Sequence, residues 1–210
     1  CPETCSNTEY QLHIVAYNAN PDDSGGDEGY DFQFIDIPQV AVTYSHVGAR
    51  PYWCWGYEHG FNEHQVVIGN EAVRSKSETD VEPKLIGMDL IRLGLERASS
   101  AAEAVKVITA MVTAFGQGIS QDNDTPSNYD NSFIVADPRE AYVIETAGYE
   151  WAIKKVDRSL GISNVHSIGT DWGNLSPSAY RKAVNNNWWI QNGTRFNFSA
   201  AYADFSASEG

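Results

Sequence analysis

Positive charge is scarce in this chain: Lys and Arg together number 14 against 28 Asp and Glu, for a formal net charge of −14 over 210 residues. Such a balance repels phosphate backbones and argues against nucleic acid as a partner. Long apolar runs are missing as well, so no segment reads as a membrane span, and no signal-peptide pattern stands at the start. Cysteine is limited to Cys1, Cys5 and Cys54, which cannot all pair, and no Cys-x-x-Cys spacing offers a zinc site. Internal repeats, a phosphate-binding glycine loop and a His-Glu-x-x-His motif are all lacking. The histidines at 13, 46, 59, 64 and 166 are scattered. Nothing in the sequence calls for a metal or another cofactor.

What is present suffices for a core: 42% of the residues are hydrophobic, most simply folded as one domain over 1–210. The most acidic stretch, 22–31, contains Ser24-Gly25-Gly26 and lacks the ordered oxygen spacing of an EF-hand, so it reads as a solvated loop. Four Asn-x-Ser/Thr sequons, at Asn123, Asn174, Asn192 and Asn197, are compatible with a secreted or lysosomal protein; the cytoplasm is the alternative.

Patterning divides the chain into two β-rich runs around a helical pair. Residues 11–17, 32–37, 40–44 and 65–69 are rich in β-branched and aromatic side chains and read as strands. Helices are predicted over 83–97 and 100–115, the second opened by a capping box from Ser100 to Glu103 and carrying an apolar stripe of Ala104, Ile108, Met111, Val112 and Phe115. Beyond a polar loop, 132–136 and 141–146 read as a hairpin turning at Asp137-Pro138, with strands at 151–156 and 162–168 to follow. The chain past Ser176-Pro177 turns helical and aromatic. Its Trp188, Trp189, Phe196, Phe198, Tyr202 and Phe205 either close the core or await another surface.

Cys1 places a thiol and an α-amino group on one residue, a self-contained nucleophile and base. The unperturbed groups titrate near ~8.5 and ~8, so modest shifts let the amine take the thiol proton at neutral pH. Ordinary trimming to a cysteine is the plainer account of the same feature. A Cys1–Cys5 disulfide would silence the nucleophile.

The order of motifs favours the catalytic account. Trp53-Cys54-Trp55-Gly56-Tyr57-Glu58-His59-Gly60-Phe61-Asn62-Glu63-His64 leads into Val66-Val67-Ile68-Gly69-Asn70-Glu71-Ala72-Val73. Further on come Leu85-Ile86-Gly87-Met88-Asp89-Leu90, then Asn131-Ser132-Phe133-Ile134-Val135-Ala136-Asp137, Glu145-Thr146-Ala147-Gly148 and Ile162-Ser163-Asn164. From about residue 53 to 168 this series resembles the secernin and C69 dipeptidase family of N-terminal-nucleophile hydrolases. The resemblance implies an α+β fold, a four-layer αββα sandwich, with Cys1 as nucleophile and its amine as proton shuttle. It also implies oxyanion donors at Asn70 and Asn164 and an amine-orienting position at Asn20, with a small amide or peptide as substrate. The chain departs from the family around 16–21: Asn20 stands where the family has an aspartate, Tyr17 and Pro21 stand at its basic positions, and Asp22 or Asp23 is a substitute only through a shifted loop. A catalytically reduced binding subunit and an acyltransferase are therefore the rival expectations. The aromatic C-terminal stretch adds one more, that the chain is a processed piece of a longer polypeptide whose Trp188, Trp189, Phe196, Phe198 and Phe205 pack on a second chain or on a homo-oligomeric copy.

Overall fold

The computed structural model describes residues 11–16, 33–51, 54–77, 84–118 and 130–205. Cys1, Cys5 and Asn20 lie outside these residues, as do Asn123 and the acidic stretch 22–31.

Within them the fold is mixed α+β. Strands β1 (Gln11–Ala16) and β2 (Gln33–Pro38) form an antiparallel pair. The rest is one seven-stranded antiparallel sheet: β3 (His46–Ala49), β4 (His59–Asn62), β5 (Val67–Val73), β6 (Asp130–Ala136), β7 (Ala141–Ala147), β8 (Glu150–Lys155) and β9 (Asn174–Leu175), each beside its neighbour in sequence. The helical pair α1 (Gly87–Arg97) and α2 (Ala101–Phe115) is inserted between β5 and β6. Two short helices, α3 (Ala179–Asn185) and α4 (Phe198–Tyr202), follow β9.

Strand alternation decides what each face meets. Ile68 on β5 pairs with Val135 on β6, and both are buried in a core with Leu90, Leu93, Ile108 and Val112 of α1 and α2. On the opposite face Val143 of β7 joins Ala179, Phe196, Phe198 and Tyr202, so α3 and α4 cover the β7–β8 end of the sheet. The other end of that face carries Val47, Phe61 and Val67, paired in register across β3, β4 and β5 and each at least half exposed. Helices α1 and α2 thus pack on one face of β3–β8, and α3 and α4 on part of the other, while the β1–β2 pair is a separate two-stranded sheet whose Ile37 is buried in the core with α1 and α2.

The predicted elements compare as follows. Both central helices form, and Ser100 caps α2 by accepting from the Glu103 backbone N–H at 3.2 Å. The reciprocal half of the capping box goes elsewhere, because the Glu103 carboxylate accepts from Ser99 N at 2.9 Å and Ser99 Oγ at 2.6 Å. The hairpin turns at Asp137, whose Oδ1 accepts from Arg139 N and Glu140 N while Oδ2 accepts from Ala101 N at the start of α2. Residues 40–44 are not a strand; Val42 is 73% exposed and the edge strand is β3 instead. Residues 162–168 are not a strand; they lie outside the sheet ladder and bend at Asn164 and Val165. The expectation that Phe196 and Phe198 await another chain is corrected: both are buried, with Tyr202, in the core under α3 and α4.

Candidate active site

Asn70 on β5 and Asn131 on β6 lie at the start of a buried line of amides. Asn70 Nδ2 donates to Asn131 Oδ1 at 2.7 Å, and Asn131 Nδ2 donates to Gln117 Oε1 at 2.7 Å. Gln117 Nε2 then donates to Asp130 Oδ1 and to the Gly148 carbonyl, each at 3.2 Å. The Asp130 carboxylate also accepts from Ser75 Oγ at 2.5 Å and from Gly148 N at 2.6 Å. Burial raises its pKa, and the hydrogen bonds from Ser75 and Gly148 oppose that rise. Gly148 reaches this position in the β7–β8 turn with φ +64°, a conformation that glycine adopts without strain.

The polarity of the line is set from its inner end. A carboxylate and a carbonyl claim the two N–H groups of Gln117, so its oxygen must face Asn131. Asn131 must then offer its own oxygen to Asn70. Asn70 spends one N–H on that bond and, among the described residues, keeps a second N–H and its Oδ1.

Asn70 also lines a cleft of about 610 Å³ beside β4, β5 and β6. Ala72, Met88, Ile134 and Ile162 supply apolar wall, Glu58, His59 and Glu71 supply polar rim, and Asn164 completes it. The segment bearing Asn164 is held by side chains in place of a ladder. Buried Glu145 accepts from Ser167 N at 2.6 Å, Ser167 Oγ at 2.7 Å and Ile168 N at 2.9 Å, and His166 Nε2 donates to the Thr146 carbonyl at 2.8 Å. Asn164 Nδ2 donates to the Ala72 carbonyl at 2.9 Å and to Glu71 Oε2 at 3.4 Å. Both of its N–H groups are therefore engaged, and an oxyanion would have to displace Glu71 to receive one.

The start of α1 presses on this arrangement. A Cβ on Gly87 would sit 1.9 Å from Asn131 Oδ1 and 2.6 Å from Asn70 Nδ2, so only glycine fits there. A Cβ on Gly56 would sit 2.1 Å from the Met88 carbonyl, which brings the 54–58 segment equally close to the helix. Asp89 accepts from the Ile86 N–H at 3.2 Å; burial pushes its pKa up to about 7 against the opposing backbone hydrogen bond from Ile86. Cys54 packs with Ile86 and Met88, and burial, reinforced by the Asp89 charge, pushes its thiol up to about 12. That thiol is a structural hydrophobe in its reactivity. On the same helix the Arg92 guanidinium stacks 4.1 Å over the Trp55 ring and donates to Glu96 at 2.8 Å.

Two residues drawn from sequence, Asn70 and Asn164, thus meet on one cleft although they are far apart in the chain. Sequence reading missed Asn131, Gln117 and Asp130, which hold Asn70, and Glu145, which holds the Asn164 segment. One signal was present: Asn131 alternates with Phe133 and Val135 on an inward face, where an amide needs a buried partner. Among the described residues no group of three or more His, Cys, Asp or Glu could hold a metal ion. No described helix is long and apolar enough to cross a membrane. No family model matches the chain.

Proposed function

We propose that this protein is an amidohydrolase of the N-terminal-nucleophile type, akin to the secernin and C69 dipeptidases, which cleaves a small amide or dipeptide through an acyl-enzyme on Cys1. The observation that carries this reading is the convergence of Asn70 and Asn164 on one cleft. In this mechanism the Cys1 sulfur attacks the amide carbonyl as the α-amine takes the thiol proton. The same proton passes to the leaving amine as the C–N bond breaks, and water then hydrolyses the thioester. The second N–H of Asn70 is the donor suited to the oxyanion, and the buried amide line holds it without reorganisation. Asn20 orients the amine. The reading carries with it the four-layer sandwich, a secreted or lysosomal location, and a homo-oligomer or a second chain of the same precursor as partner.

A specific observation favours a second reading, that of a catalytically reduced binding subunit: the N–H groups of Asn164 are already spent on Ala72 and Glu71. Treating the reduced protein with a thiol-reactive acyl-enzyme trap and measuring intact mass separates the two. Labelling of the wild type at Cys1, absent in Cys1→Ala, is the enzyme's outcome. An unlabelled, folded wild type is the subunit's. Interception of the trapped acyl group by an added amine faster than by water would identify an acyltransferase.

A further inference from the structure

The three described sequons sit in different surroundings. Asn197 is half-buried as the N-cap of α4: its Oδ1 accepts from Ala200 N at 2.8 Å, and its Nδ2 packs beside Gly169, where an added Cβ would lie 3.6 Å away. The sequon serine, Ser199, donates inward to the His166 carbonyl at 2.7 Å. Asn174 is exposed on the edge strand β9, but its sequon serine is withdrawn: Ser176 is buried and donates to Glu150 at 2.5 Å. Asn192 differs from both. Residues 191–195 are all exposed, and Gly193 turns the chain at φ +80° with nothing near its Cα that a side chain would strike. Asn192 Oδ1 accepts from Thr194 N at 3.0 Å and Thr194 Oγ1 at 2.6 Å, while no protein group among the described residues engages its Nδ2.

We propose that Asn192 is the acceptor of an N-linked oligosaccharide when the chain passes through the secretory pathway, and that Asn174 and Asn197 are not. The chemistry needs an amide nitrogen that can leave the surface and lose a proton. Hydrogen bonds onto Oδ1 favour negative charge on that oxygen, which makes the Nδ2 protons more acidic. Nδ2 displaces the diphosphate of a lipid-linked oligosaccharide donor at the anomeric carbon. The C–N bond forms, the C–O bond to the diphosphate breaks, one Nδ2 proton goes to a base on the transferase, and the lipid diphosphate leaves with the bonding pair. A glycan on Asn192 projects into solvent from an exposed turn that Arg195 anchors from its far side by donating to the Trp172 carbonyl at 2.7 Å. On Asn197 it would have to emerge beside Gly169 at a helix cap, against the fold.

The test is to express the full chain behind a cleavable signal sequence in eukaryotic cells. Glycan sites are mapped peptide by peptide in secreted and whole-cell material after enzymatic deglycosylation in heavy-oxygen water. The expected result is an Asn192 peptide labelled in most molecules, with Asn174 and Asn197 unlabelled in the secreted pool. Both Asn192→Gln and Thr194→Ala should lose the one-glycan mobility shift contributed by this site. An unlabelled Asn192 in both pools overturns the proposal, and so does a labelled Asn174 or Asn197 in the secreted protein.

Discussion

Asn70 donates to Asn131 Oδ1 at 2.7 Å, and that single bond fixes which way the cleft-lining amide points. Because the line continues through Gln117 to the Asp130 carboxylate and the Gly148 carbonyl, it cannot reverse without setting the Gln117 oxygen against two acceptor oxygens. Replacing Asn131 by Ala removes the middle link and leaves Asn70 and Gln117 each short of a partner. A loss of about 1–3 kcal/mol in all is expected, since Gln117 Oε1 still accepts from Thr146 Oγ1 and Asn70 still reaches the cleft, read as a lower urea midpoint at unchanged slope. An unchanged midpoint would show that water replaces the amide without cost.

Gly87→Ala sets two effects of opposite sign against each other. Helix propensity alone favours alanine by about 1 kcal/mol. The new Cβ would fall 1.9 Å from Asn131 Oδ1, and overpacking of that kind costs about 1–3 kcal/mol or more. The clash wins, so the variant should melt below the wild type. A rise in melting temperature would contradict the close approach of α1 to the Asn70–Asn131 pair.

Asp89 gives the stability a pH dependence of definite sign. Its native pKa is raised to about 7, above an unfolded value near ~4, so the native state holds more protons between those limits. The stabilisation from this group is full below about pH 4, declines as pH rises, and is gone above about 7. Asp89→Asn keeps an acceptor for the Ile86 N–H and should flatten that slope, with a total change of a few kcal/mol at most. Urea midpoints measured across the interval check it.

Cys54 should be silent in the native protein. With a thiol pushed up to about 12 and only 3% of its surface exposed, it should resist alkylation at pH 8 until the chain unfolds. Cys54→Ala should leave native labelling stoichiometry unchanged. Rapid native labelling at Cys54, located by peptide mapping, would contradict its burial.

Under the proposed chemistry Asn70→Ala should slow acylation of Cys1 by about 10²–10³, the usual effect of losing one oxyanion donor. Asn164→Ala should cost on the order of 3 kcal/mol in the same step only if Glu71 yields its partner during the reaction. Glu71→Ala, which frees one Asn164 N–H, should then speed acylation. Equal rates in wild type, Asn164→Ala and Glu71→Ala would assign Asn164 to anchoring the 162–168 segment alone.

Periodic segments were legible in the sequence because burial follows period. The α2 stripe of Ala104, Ile108 and Val112 is buried as its spacing requires, and the Asp137-Pro138 turn carries its own hydrogen-bonding signal. Strand β4 was not legible: His59-Gly60-Phe61-Asn62 has little β propensity, and it pairs because Asn62 donates to the carbonyls of Leu95 and Ala98 beneath it. The 162–168 stretch misleads in the other direction. Its apolar alternation suits a strand, yet its order comes from Glu145, Thr146 and Ala72, none of which local pattern can see. In the site, Asn70 and Asn164 were named only through the family resemblance, while the partners that spend their hydrogen bonds are long-range and appear only in three dimensions.

The fit of Gly87 against Asn131 has a consequence for motion. With no atom of slack between the first turn of α1 and the amide pair, the helix start and the cleft wall form one mechanical part. Any fluctuation that admits a bulkier ligand past Met88 must tilt α1 or break the Asn70–Asn131 bond, and either draws on the stability of the central core. Amide exchange at the head of α1 should consequently report on the cleft: a ligand seated there would slow exchange in a helix turn that it need not touch.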